Sequence, residues 1–162
     1  MKLVHTADWH WSERQLDKCI ASARFVIEQL MSIKPNLHVI AGDYWDRRQM
    51  LASTSAVHSA LAAMRELANI SPVAIVLGNA MHDAPGSLEI FRGLDCRFPI
   101  VVAERPVTVL LCLDEKTNVI FRDCPDDDSR TEIFDKALAL LHLFPYPNKS
   151  FWLAGKEACS ID

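Results

Sequence analysis

The chain has 162 residues, half of them hydrophobic, a net charge of -4 and a pI of about 5.8. That size suits one domain with a sizeable core, and the acidic balance excludes nucleic-acid binding by bulk positive charge, so any phosphate contact needs a local patch or a bound metal. Five cysteines without a CxxC pair fit reduced thiols better than a disulfide framework or zinc site, and no apolar run suits a signal peptide or membrane span, so a soluble, cytoplasmic chain is expected.

Leu3 to Thr6 reads as a short buried strand ending at Ala7-Asp8. Ser12 and Gln15 form a capping-box pattern before a helical run, in which Leu16, Ile20, Ala23, Ile27 and Leu30 recur every three or four residues. Pro35-Asn36 breaks the run, and Leu37 to Ala41 follows as a second strand ending at Gly42-Asp43. Ala52 to Ala68 reads as a second amphipathic helix whose inner face holds Ala56, Val57, Ala60, Leu61, Met64 and Leu67. Val73 to Leu77 is a third strand ending at Gly78-Asn79. Such alternation predicts parallel strands with helical crossovers.

Beyond Pro99 the character changes. Ile100 to Ala103, Val107 to Leu113 and Asn118 to Arg122 are β-rich and predict hairpins or an antiparallel second sheet. Asp126 to Asp128 reads as a solvated loop. Ser129 and Glu132 cap a short helix over Thr131 to Ala137, and Leu138 to Phe144 is a last strand before Pro145-Tyr146-Pro147. Nothing divides the chain, so one domain over 1–162 is expected.

Three strand ends carry the chemistry: Asp8-Trp9-His10, then Gly42-Asp43-Tyr44-Trp45-Asp46, then Gly78-Asn79. Loops at the carboxyl ends of an open α/β sheet converge on one crevice. Carboxylate and amide oxygens with imidazole nitrogen suit Mn²⁺, Mg²⁺, Fe or Zn²⁺. On an extended segment Asp8 and His10 leave the same side and can reach one ion. Asp43 can bridge two ions, and neutral Asn79 adds a ligand without adding charge. Paired cations can hold a phosphate, activate water and stabilise the leaving oxygen.

In this order the motifs DxH, GDxxD and GN followed by HD resemble the calcineurin-like metallophosphoesterases. "MKLVHTADWHW" at Met1 to Trp11, "IAGDYWDR" at Ile40 to Arg47 and "LFPYPNKSFWLA" at Leu143 to Ala154 are similar to the SbcD-type nuclease subunit of a DNA double-strand-break repair complex. The resemblance implies a four-layer α/β sandwich and metal-dependent hydrolysis of DNA phosphodiesters, as exonuclease and endonuclease in repair and recombination. It implies two divalent ions, with manganese first and magnesium second. Asp8 and His10 would hold the first ion, Asp43 would bridge, and Asn79 would hold the second. His82 would be the catalytic histidine, meeting the scissile phosphate and helping to protonate the leaving oxygen, with Asp83 orienting it. DNA, an SMC-like ATPase and a second copy of the chain are the implied partners; no membrane is.

Two departures from the family pattern stand out. Ala80 and Met81 separate Asn79 from His82, where the family has GNHD, and no Gly-His pair supplies the family's later GH and GHxH motifs. The chain therefore reads as truncated, with one ion held well and activity impaired. The alternatives are a phosphoesterase for another substrate, or a non-catalytic fragment that keeps the fold as a binding module. Arg47 and Arg48 fit DNA phosphates or a solvated pair. Trp9 and Trp11 fit a cleft wall or packing. His5 reads as a hydrogen-bonded core residue, His38 and His58 as structural or surface, and His142 as a weak ligand candidate. The face of Ala56, Ala60 and Met64 reads as core, with part of it a possible homodimer contact.

Overall fold

Four short runs rich in Val, Ile and Leu form the first sheet, because such side chains pack well on a pleated, buried surface. The computed structural model describes residues 1–47, 51–113, 119–123 and 137–147. β1 (Leu3–Thr6), β2 (Leu37–Ala41), β3 (Val73–Val76) and β4 (Ile100–Ala103) lie in that order, each parallel to its neighbour. The crossovers are α1 (Leu16–Ile33) and α2 (Ser55–Ile70). α1 buries Cys19, Ala23, Ile27 and Leu30, the expected spacing of three and four, and ends where Lys34 turns left-handed at φ 50°. α2 starts at Thr54, whose side chain accepts from the Val57 N–H.

Antiparallel strands β5 (Val107–Leu113), β6 (Val119–Asp123) and β7 (Ala137–Leu143) form a second sheet, in the order β6-β5-β7. One core lies between the helices and the first sheet, with Leu30, Ile40, Met64, Leu67 and Ile75 fully buried. A second joins the sheets through Leu37, Ala74, Val76 and Ala103 on one side and Val109, Leu111 and Leu143 on the other. Each such large side chain contributes about 1.5–3 kcal/mol by leaving water. The described layers are thus helix, sheet and sheet, a mixed α/β arrangement consistent with the expected class. Among the described residues no helix is long and apolar enough to cross a membrane. Cys19, Cys96 and Cys112 are free thiols.

Several expectations need correction. Ile100–Ala103 does not join the antiparallel sheet; it pairs parallel with β3, from Val73 opposite Ile100 to Val76 opposite Ala103. Its direction comes from distant contacts, with Phe98 N–H donating to Ala68 O and Val73 N–H to Pro99 O. The Ser12 side chain does not cap α1. Its hydroxyl is buried without a hydrogen-bond partner, and a 3-10 turn at Glu13–Gln15 intervenes. Ala56, Ala60 and Met64 are fully buried in the core against the rest of the chain, so they offer no surface for a second copy. The expected helix over Thr131 to Ala137, its Ser129–Glu132 cap and Asp126 to Asp128 fall outside the described residues, except that Ala137 opens β7.

Candidate metal centre

The turns after β1 and β2 run side by side. Asp8 N–H donates to Gly42 O at 3.2 Å, His10 N–H to Asp43 O at 3.1 Å, Trp11 N–H to Tyr44 O at 2.9 Å and Asp46 N–H to Trp11 O at 3.1 Å. Beneath them Trp11, Tyr44, Trp45 and Phe91 pack as a buried aromatic cluster. Trp11 is therefore packing rather than a cleft wall, and Trp9 is tied by its indole N–H to Thr6 Oγ1.

Three non-glycine residues here have left-handed backbone: Asp8 at φ 56°, His10 at 48° and Asp43 at 51°. That conformation is uncommon and costs about 1–3 kcal/mol per residue, so the packing of both turns must impose it. It also corrects the extended geometry expected for Asp8-x-His10. The side chains still converge, with His10 Nε2 3.7 Å from Asp8 Oδ1. One donor atom each from Asp8, His10 and Asp43 lies within 4.8 Å of the others.

Gly78, at the end of β3, makes the close approach possible. A Cβ there would overlap the backbone nitrogen and Oδ1 of Asp43. Gly42, at φ 78°, meets it from the other side, where a Cβ would lie 2.8 Å from Gly78 Cα. Asn79 then donates twice to Asp43, from its backbone N–H to Oδ1 and from its side-chain amide to Oδ2, both at 2.8 Å. The Asn79 side-chain oxygen accepts the Met81 N–H at 2.9 Å. The atom expected to ligate an ion is thus engaged by the loop, and the amide nitrogen faces Asp43.

His82 reaches the site despite the two extra residues. Its ring centroid is 4.5 Å from that of His10, edge to face, and its Nδ1 is 3.0 Å from Asp46 O. His10, Asp46 and His82 form a second group with donor atoms within 4.8 Å. Asp46 is the residue that sequence reasoning left without a role of its own. Its signal was its place three residues after Asp43, in the same turn.

Asp83 does not orient His82. It is fully buried and accepts three backbone N–H groups: Trp45 at 2.9 Å on Oδ1, with Gly78 at 2.8 Å and Tyr44 at 3.2 Å on Oδ2. Burial pushes its carboxyl above the usual range, opposed by these hydrogen bonds and assisted by the charge of Asp43. It clasps the second and third turns together. Arg47 is exposed at the rim, its Nε 3.9 Å from Asp46 Oδ2, and Arg48 lies outside the described residues.

The other described histidines belong to neither group, although His5 and His142 line the cleft beside Asp8 and Asp43. His38 is buried against Thr6 Oγ1 at 2.9 Å, and burial lowers its pKa to about 4, helped by His5. His5 is exposed, not a core residue. His142 is exposed and pairs with Thr108 Oγ1 at 2.9 Å. An open cleft of about 880 Å³ lies beside Asp8, Asp43 and Asn79, with Phe144 and Tyr146 on its other wall. Tyr146 N–H donates to Leu77 O at 3.0 Å and anchors that wall.

The donor chemistry fits a divalent ion. Carboxylates and imidazoles converge, and His10 Nδ1 is buried without a hydrogen-bond partner. A buried polar atom left without a partner is costly in a protein that has no use for it. Residues 1–155 match the family model described as calcineurin-like phosphoesterase. No curated protein matches the chain.

Proposed function

We propose that this chain, which belongs to the calcineurin-like phosphoesterase family, hydrolyses the phosphodiester bonds of DNA. Membership makes it a metal-dependent phosphoester hydrolase. DNA as the substrate, and a role in repair, rest on the SbcD-like segments around Asp8, Asp43 and Pro145. The observation that carries the reading is the convergence of Asp8, His10 and Asp43 within 4.8 Å at two adjacent strand ends.

Asp8, His10 and Asp43 would hold the ion, and Mn²⁺ suits these ligands. When bound, such an ion supplies positive charge at the phosphoryl oxygens and activates water for attack. The chain's own part is positioning. Two N–H bonds from Asn79 fix the Asp43 carboxylate, and the left-handed backbone of Asp8 and Asp43 aims both side chains at one point. Arg47, exposed at the rim beside Asp46, would meet a neighbouring phosphate. In a chain of net charge -4 such local contacts must carry DNA affinity. An SMC-like ATPase and a second copy belong to the same reading as partners, the second copy by a surface other than Ala56, Ala60 and Met64.

The test is degradation of end-labelled linear duplex with Mn²⁺ and a chelator control. Chelator-sensitive cleavage is expected to be weak, in keeping with the impaired activity expected of a chain without the GH and GHxH histidines, and Asp43→Asn should abolish what there is. Undiminished cleavage by Asp43→Asn overturns the site. Hydrolysis of a cyclic nucleotide or phosphoprotein, with duplex untouched, overturns DNA as the substrate. Metal binding without hydrolysis of any of the three leaves the chain a binding module.

A further inference from the structure

The turn after β3 brings both Asn79 and His82 to the site, Asn79 against Asp43 and His82 against His10. The extra pair Ala80-Met81 closes a tight turn in which the Met81 N–H takes the Asn79 side-chain oxygen. That ties the amide oxygen to the loop through one of its two lone pairs. The same turn returns His82 to within 4.5 Å, ring to ring, of His10. A carbonyl oxygen can only accept, so the contact with Asp46 O at 3.0 Å puts the proton on His82 Nδ1. In the neutral ring Nε2 is then the nitrogen left to accept or to ligate. Metal-ligating histidines almost always donate their other ring N–H to a carbonyl or carboxylate in this way.

We propose that His82 is a metal ligand, in a His10–Asp46–His82 site for a divalent transition-metal ion that overlaps the Asp8–His10–Asp43 group through His10. Two imidazoles and a carboxylate suit Zn²⁺, Co²⁺ or Mn²⁺ better than Mg²⁺, which prefers an all-oxygen shell. His82 and Asp46 supply donor atoms beside His10 in addition to those of Asp8 and Asp43. The proposal rests on the metal-dependent reading of this centre, and it assigns His82 to the ion instead of to the leaving group.

The test is ¹⁵N NMR of the histidine rings in the whole chain, titrated with Zn²⁺, which is diamagnetic. Loss of a signal in His82→Ala and in His10→Ala assigns the two residues. Zn²⁺ should shift the His82 Nε2 resonance together with the His10 ring. Calorimetry should show Zn²⁺ affinity falling at least about tenfold in His82→Gln and Asp46→Asn, less in Asn79→Ala, and not at all in His142→Ala. A shift at His10 with His82 unmoved overturns the proposal while leaving the metal centre standing. Rings that do not respond at either position overturn both. Should His82→Gln fail to fold, the titration of the unaltered chain still decides the matter.

Discussion

The two sheets meet face to face across one apolar layer, yet they contribute differently to the candidate site. Every described donor atom that converges for an ion comes from a turn after β1, β2 or β3. The antiparallel sheet supplies a wall, through Phe144 and Tyr146, and its one described histidine, His142, is turned to Thr108. The difference follows from strand direction. Parallel strands send all their carboxyl ends to one edge, where three turns can meet. Antiparallel strands alternate, so consecutive turns fall at opposite edges. The first sheet therefore concentrates chemistry, and the second gives the first a buried underside.

The largest expected effect tests whether the turns of the first sheet hold one another in place. Asp83→Ala leaves the N–H groups of Tyr44, Trp45 and Gly78 buried with no acceptor. At about 1–3 kcal/mol for each, the loss is on the order of 5 kcal/mol. Urea unfolding should show it, and metal affinity should fall with it because the second and third turns separate. An unchanged midpoint would mean that these turns stand without the clasp.

A smaller effect is expected on the other side of the comparison. Leu111→Ala in β5 opens a cavity between the sheets and should cost about 2–5 kcal/mol. Metal affinity of the folded protein should stay as it was, since no donor atom leaves the second sheet. A large drop in affinity at full folding would show that the antiparallel sheet shapes the metal centre directly.

The smallest effect concerns pH. His38 in β2 is held neutral down to about pH 4, against an ordinary value of 6.5, chiefly by burial. The unfolded chain binds its proton first, so stability is full above pH 6.5 and is lost as pH falls toward 4. The window is worth at most about 3 kcal/mol. His38→Leu should flatten the slope of urea midpoint against pH between those values. A slope that persists in the variant assigns the acid sensitivity to other groups.

Much of the framework was legible in the chain itself. β1, α1, β2 and β3 fall within a residue or two of where apolar spacing and Pro or Gly breaks put them, because period and punctuation are local properties. DxH and GDxxD marked Asp8, His10 and Asp43 for the same reason: side chains that must meet at strand ends are fixed by short spacings. The partner of Ile100–Ala103 was not legible, since a four-residue apolar run carries no sign of the strand it will join. Nor was the place of the His82 ring, which depends on how a two-residue insertion folds against Asp46, a residue 36 positions earlier. Asp83 shows the same limit. Its motif marked it as important, but its burial under Tyr44, Trp45 and Gly78 is decided by three turns closing over one carboxylate, and only the tertiary structure brings them together.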